Sequence, residues 1–198
     1  MVAKCKEEGA QAVCYAGDAM KEETAEAVVR LAMETYGQID ILINNAGIGR
    51  VTKLEESTME EYDLIMNSNV RSAYAFTLHT MPEMLKRGKG QIIMVSSVTG
   101  VYGHTEEAAY TASKFALRGL AQAIDKEFFE RGIKSGVYCP SAAKTEFEVG
   151  YGRTAERVAA SNNLTPEDGA ETLLFMCSQP DHARVMEVRQ AALRCAIF

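Results

Sequence analysis

No apolar run in this chain approaches the roughly 18 residues that a bilayer-spanning helix requires, so nothing in it points to a membrane helix. Clusters of lysine and arginine are missing too. The basic residues are scattered and the formal net charge is −6, which leaves no row of cations to neutralise phosphates and excludes nucleic acid as an expected partner. No two cysteines stand in a CxxC spacing. The five that occur (Cys5, Cys14, Cys139, Cys177 and Cys195) are odd in number and far apart, which argues against a disulfide framework or a zinc site and reads as mostly reduced core thiols. Histidines are few. His79, His104 and His182 are widely separated and read as structural or exposed residues, with no metal expected. Repeats, low-complexity stretches and linkers are lacking, and the charged, helix-like segment Met1 to Gly9 has none of the shape of a secretion signal. The expected location is cytoplasmic.

What is present is a chain of 198 residues, 47% hydrophobic and 24% charged, the composition of one globular domain with a sizeable core. Short β-branched runs alternate with longer segments whose apolar residues recur three or four apart, the pattern of a parallel sheet covered by helices. The expected strands are Gln11 to Tyr15, Ile39 to Ile43, Gln91 to Val95, Ile133 to Tyr138 and Arg184 to Val188. The expected helices are Glu22 to Tyr36, Met59 to Arg87, Ala108 to Arg131 and Pro166 to Gln179. Met59, Met66, Met81 and Met84 fall in apolar helical patterns and read as core filling. Boundary signals support the helices: Ser57 or Thr58 as a cap followed by Glu60 and Glu61, Gly132 as a stop, and Pro166 in a first turn. The Met59 to Arg87 segment should be two helices, because Asn67-Ser68-Asn69 is weak helix-forming sequence in its middle.

The chemistry concentrates around Tyr110-Thr-Ala-Ser-Lys114. A four-residue spacing on a helix puts phenol and ammonium on one face, and a nearby positive charge favours phenolate over phenol, drawing the tyrosine towards the range of an acid/base catalyst. Thirteen residues earlier, at the end of an expected strand, Ser97 stands where open α/β sheets bind ligands. Its hydroxyl can hydrogen-bond a substrate oxygen. The plainer alternative makes Ser96 and Ser97 a turn and the cap of the next segment, and for Ser96 this is the preferred reading. Asn44-Asn45-Ala46-Gly47 follows another strand, where small residues let backbone approach a flat ligand. Asn69 is a polar residue where the helical pattern breaks.

Asp18 after a strand, Asn44-Asn45-Ala46-Gly47, Asn69-Val70, Ser97, Tyr110-x-x-x-Lys114 and Pro140 occur in the order and spacing of the short-chain dehydrogenase/reductase family, which this chain resembles. The resemblance implies a Rossmann-like, doubly wound parallel α/β sheet and hydride transfer between a secondary alcohol and a ketone with NADP or NAD. It implies Tyr110 as general acid/base, Lys114 lowering its pKa and holding the nicotinamide ribose, Ser97 positioning the substrate carbonyl, and Asn69 anchoring a water relay to Lys114. Asp18, with Ala19, would touch the adenine. Asn45, Ala46 and Gly47 would line the ribose side, and Ala143 and Thr145 would contact the cofactor from Pro140-Ser141-Ala142-Ala143-Lys144-Thr145. That stretch departs from the family's Pro-Gly-x-x-x-Thr at Ser141, where a glycine would take positive φ freely and a serine would not.

Phe147, Tyr151 and Arg153 fall in the segment that caps the substrate in this family, and suggest a mostly apolar pocket with one partner for a carboxylate. The tail beyond Arg189 departs from the family pattern. The helices Asn69 to Arg87 and Ala108 to Arg131 correspond to the family's association surface, implying a homodimer or homotetramer.

The family's opening strand, glycine-rich turn and second strand have no counterpart before Met1 to Gly9. The expectation is therefore a single, partial Rossmann-type domain over residues 1–198, lacking the first two strands and the glycine-rich loop. Roughly 40 to 60 residues of the usual fold would be missing, judged from the size of one strand-helix-strand unit. Such a chain would carry an unpaired edge on the Ile39 to Ile43 strand and bind dinucleotide weakly by itself. The alternative to an enzyme is a non-catalytic remnant that pairs with full-length relatives.

Overall fold

The computed structural model describes residues 2–193. Four parallel strands form one sheet in the order β1 (Ile41–Asn44), β2 (Gly90–Val95), β3 (Ile133–Pro140), β4 (Glu187–Gln190). Ile41 pairs with Gln91, Ile92 with Ser135 and Val137 with Glu187. Two helices, α1 (Val2–Glu7) and α2 (Glu22–Tyr36), precede the sheet; parallel strands need long crossovers, supplied by α3 (Met59–Met66) and α4 (Ser72–Arg87), by α5 (Ala108–Phe128), and by α6 (Ala155–Ala160) and α7 (Pro166–Cys177).

Strand alternation divides the core in two. Ile92 and Met94 of β2, with Ile133, Val137 and Cys139 of β3, face Met81 and Met84 of α4 and Leu117, Ala121 and Ile124 of α5. Ile93 and Tyr138 point the other way, against Met176 of α7. Helices therefore cover both faces, as in a Rossmann-like sheet. The ends match their local signals: Thr58 accepts from Glu61 N, Gly132 adopts φ 78°, and Thr165 with Asp168 forms a capping box ahead of Pro166. Among the described residues no helix is long and apolar enough to cross a membrane.

Three expectations change. Gln11 to Tyr15 is extended but not a strand: no described strand lies beside it, so its backbone has no ladder, and Val13 and Tyr15 are exposed. The Tyr36 hydroxyl ties it to α2, donating to Gln11 O at 3.3 Å. In the same region β1 is an edge strand whose Ile41 and Ile43 are each about 40% exposed. Second, the two expected helices within Met59 to Arg87 are present as α3 and α4, but the interruption at Asn67–Arg71 is a π turn that carries the chain on from one into the other. Third, the last strand begins at Glu187, not Arg184. The Ala183 carbonyl is taken by Lys134 Nζ, together with those of Gln179 and Pro180, while Arg184 turns outward to Asp125 and the Phe129 ring.

The thiols are also less uniform than expected. Cys139 is buried and Cys14 exposed, while Cys195 lies outside the described residues with the rest of 194–198.

Candidate active site

The site lies beyond the carboxyl ends of β1, β2 and β3, where an open α/β sheet presents its ligand crevice. Tyr110 and Lys114 lie in the first two turns of α5 and are both buried, at 8% and 4% exposure. The Ser97 side chain lies near enough to the phenol to favour its ionised form. Lys114 Nζ donates to Val95 O at 3.0 Å and lies 5.4 Å from the Tyr110 ring centroid. The structure thus brings Ser97, Tyr110 and Lys114 into one cluster.

Their positions have local causes. Strand β2 ends at Val95, and Ser97 Oγ accepts from Thr99 N at 3.2 Å, capping the 3₁₀ turn Val98–Gly100. Ser96, expected as the turn or cap residue, instead donates to Lys114 O at 2.8 Å and ties the strand end to α5. Asn69 is fully buried in the π turn. Its Oδ1 accepts from Ile48 N at 2.7 Å, and its Nδ2 donates to Ile48 O and Ser113 Oγ, each at 2.9 Å. Ser113 Oγ in turn donates to Tyr110 O at 2.7 Å. This chain fixes the loop after β1 relative to the tyrosine helix. Ser113 was not singled out from the sequence, although it lies inside Tyr110 to Lys114.

Gly47 lies between these groups: a Cβ there would stand 2.8 Å from Asn69 Oδ1 and 3.7 Å from Lys114 Nζ. Only a glycine allows this approach. Asn45 and Ala46 are exposed beside it, open to a ligand, whereas Asn44 is buried and donates to Thr77 Oγ1, a structural tie to α4. Ala143 and Thr145 are partly buried and joined by the Thr145 N to Ala143 O bond at 2.9 Å. Ser141 takes no positive φ. It is buried, its N–H donates to Gln190 O and its hydroxyl accepts from Ala192 N at 3.2 Å, so the serine is accommodated by β4 and the residues that follow it. Asp18 is exposed and makes a local turn, with Oδ1 accepting from Met20 N at 3.0 Å next to the partly buried Ala19.

The electrostatics differ from expectation. Burial is the largest influence on the Tyr110 phenol and pushes it up, and Glu148 and Glu107 push it further; the Ser97 side chain and Arg153 oppose them. Burial works on the Lys114 ammonium too and lowers it to about 8. Arg153, expected as a partner for a substrate carboxylate, is occupied: it donates to Phe147 O at 3.3 Å and Ala143 O at 2.9 Å. Phe147 packs its ring 5.8 Å from that of Tyr110. The charged group that faces the phenol from this segment is Glu148, which the sequence reading passed over between Phe147 and Tyr151.

Comparison with known proteins agrees with this architecture. The family model for short chain dehydrogenases matches residues 1–156. An uncharacterized oxidoreductase of Thermotoga maritima is 35% identical over 141 residues, 71% of this chain and 55% of that protein. A diacetyl reductase [(S)-acetoin forming] of Staphylococcus epidermidis is 35% identical over 142 residues, again 71% of this chain and 55% of its own length. Among solved structures, the closed form of a serine dehydrogenase complexed with NADP+ superposes with a TM-score of 0.89 at 22% identity, covering 98% of this chain and 82% of its own. An alcohol dehydrogenase of Thermococcus sibiricus complexed with 5-hydroxy-NADP gives 0.85 at 21% identity, covering 98% and 81%. The fold class is Rossmann-like. The chain belongs to the short-chain dehydrogenase family, and spans about half the length of these two curated relatives.

Proposed function

We propose that this chain is the catalytic part of an NAD(P)-dependent oxidoreductase that interconverts a secondary alcohol and a ketone, with Tyr110 as the general acid/base. The observation that supports the reading is the buried Tyr110 phenol with Lys114 Nζ 5.4 Å from its ring centroid and the Ser97 side chain beside it. A dinucleotide, when bound, supplies the nicotinamide carbon that accepts or gives the hydride. The residues present suit its nicotinamide and ribose end: Gly47 lets backbone pass close, Asn45 and Ala46 are open, Ala143 and Thr145 keep partial exposure, and Lys114 has donors beyond the one used by Val95 O.

In the oxidative direction the alcohol hydroxyl gives its proton to the deprotonated Tyr110 oxygen while the carbinol carbon loses its hydride. Ser97 holds the same substrate oxygen through its hydroxyl, stabilising charge that develops there. Lys114 supplies a positive charge one turn away, which offsets part of the cost of the phenolate that burial imposes. Asn69 acts on this machinery through Ile48 and Ser113, as a positioning residue. Asp18 and Ala19 would hold the adenine end. We assign the chain to one Rossmann-type domain in the cytoplasm, associating through the helices 69–87 and 108–131. The diacetyl reductase and serine dehydrogenase relatives favour small, polar substrates.

The test is ketone-dependent loss of NADPH or NADH absorbance across a panel of small ketones. Ser97→Ala should slow turnover about a hundredfold with little change in dinucleotide binding. An unchanged rate would remove Ser97 from the reaction.

A further inference from the structure

We infer that Glu148 determines substrate charge: it is placed to pair with an ammonium group carried next to the reacting carbinol, so that the preferred substrates are amino alcohols or amino ketones. This deepens the proposed reaction and rests on that reading of the Tyr110 cleft.

The first observation is conformational. Among the described residues Glu148 is one of two non-glycine positions with positive φ, at 62°, a backbone state that costs a side-chain-bearing residue about 1 kcal/mol or more. Gly150 and Gly152 continue the same tight segment, which is pinned to the loop after β1 by the Val51 N to Tyr151 O bond at 3.2 Å and by Arg50 stacked 3.4 Å over the Tyr151 ring. The strained backbone directs the carboxyl inward, onto the α-carbon of Gly49, where a Cβ would overlap Oε1. Gly49 thus leaves the room that Glu148 occupies.

The second observation is the missing partner. Oε1 is buried with no hydrogen bond. A buried carboxylate oxygen without a donor is costly, and the cations around it do not remove the cost. Arg50 donates to Gly49 O and stacks on Tyr151, and Arg153 donates to the carbonyls of Phe147 and Ala143. Lys114 donates to Val95 O. Their charges, with that of Lys114, pull Glu148 down, but burial and the neighbouring Glu107 prevail and the carboxyl stands at about 7.

The third observation links this group to the reaction. Glu148 and Glu107 both raise the Tyr110 phenol against the opposing influence of Arg153, so the two carboxyls add negative potential at the proton-transfer atom. A ligand cation held by Glu148 would cancel part of that potential and bring the phenol closer to its working range. Glu148 keeps partial solvent exposure, so turning its side chain off Gly49 brings the carboxyl to an incoming ligand.

The test compares three probes on the purified chain by ligand-observed NMR titration: 1-amino-2-propanol, 1,2-propanediol and lactate. Wild type should bind the amino alcohol about tenfold more tightly than the diol, the worth of one charge-assisted hydrogen bond, and lactate least. Glu148→Gln should bring the amino alcohol down to the diol while leaving the diol unchanged; Glu148→Asp, which keeps the charge, should keep most of the preference. An unchanged preference in Glu148→Gln, or a wild type that binds the amino alcohol no better than the diol, would overturn the inference. Tyr110→Phe should keep the binding preference whether or not Tyr110 is the acid/base, so a failure of Glu148 is separable from a failure of the proposed reaction.

Discussion

Replacing Asn69 by alanine removes three hydrogen bonds at one stroke: from Ile48 N at 2.7 Å, to Ile48 O at 2.9 Å and to Ser113 Oγ at 2.9 Å. Asn69 has no solvent exposure and Ile48 is partly buried, so water replaces these bonds poorly. With each orphaned buried group costing about 1–3 kcal/mol, and some relief from relaxation of the loop after β1, the expected loss is about 3 kcal/mol. Urea unfolding followed by far-ultraviolet circular dichroism would measure it. Asn69→Asp keeps the acceptor for Ile48 N but loses both donors, and buries a charge besides, so it should rescue little. The coupling to Ser113 is specific: a double-mutant cycle of Asn69→Ala with Ser113→Ala should show about 1 kcal/mol of interaction. A loss under about 1 kcal/mol for Asn69→Ala, or additive effects in the cycle, would refute the idea that this side chain latches the loop to the tyrosine helix.

Glu148 should make stability depend on pH. Burial raises its folded value from 4.5 to about 7, so between those values the native state holds a proton that the unfolded chain has released. Its stabilising contribution is fully present below about pH 4.5 and is lost as pH rises through 7. The full shift would amount to about 3 kcal/mol, and partial solvation should reduce it to about 1–2 kcal/mol; Glu148→Gln should flatten that slope in denaturation curves, and an unaltered slope would contradict it. Thr165→Ala breaks the capping box of α7 and should cost about 1 kcal/mol, whereas no shift in the urea midpoint would show that the cap is idle. Leu117→Ala empties a core position only 1% exposed and should cost about 3 kcal/mol; Leu54→Ala, at a site 75% exposed, should stay within about 0.5 kcal/mol.

What could be read from the sequence was what depends on local spacing. The Tyr110 to Lys114 face, the Thr58 and Pro166 starts and the Gly132 stop are all properties of a few consecutive residues, and they appear in place. What depended on distant partners was not legible. Gln11 to Tyr15 has the composition of a strand, but a strand exists only beside another, and none of the described strands adjoins it. Ser96 was read as the turn or cap residue, but it is Ser97 that caps the following turn while Ser96 reaches the Lys114 carbonyl. Whether a serine side chain turns to its own loop or to a helix eighteen residues on is decided by packing. Lys114 was expected to depress the phenol. Burying both groups together had the larger effect on each, and burial is not a property of spacing. Glu148 escaped notice for two reasons: nothing in its neighbours announces a positive φ, and its contact with Gly49 joins distant parts of the chain.

The proton-transfer role of Tyr110 is tested most directly by single-turnover oxidation of NADPH with a small ketone, comparing wild type with Tyr110→Phe. The phenylalanine keeps the ring against Phe147 and removes only the hydroxyl. Wild type should show ketone-dependent oxidation, and Tyr110→Phe should be slower by at least about a hundredfold with dinucleotide affinity unchanged. Equal rates in the two proteins, zero included, would contradict the assignment.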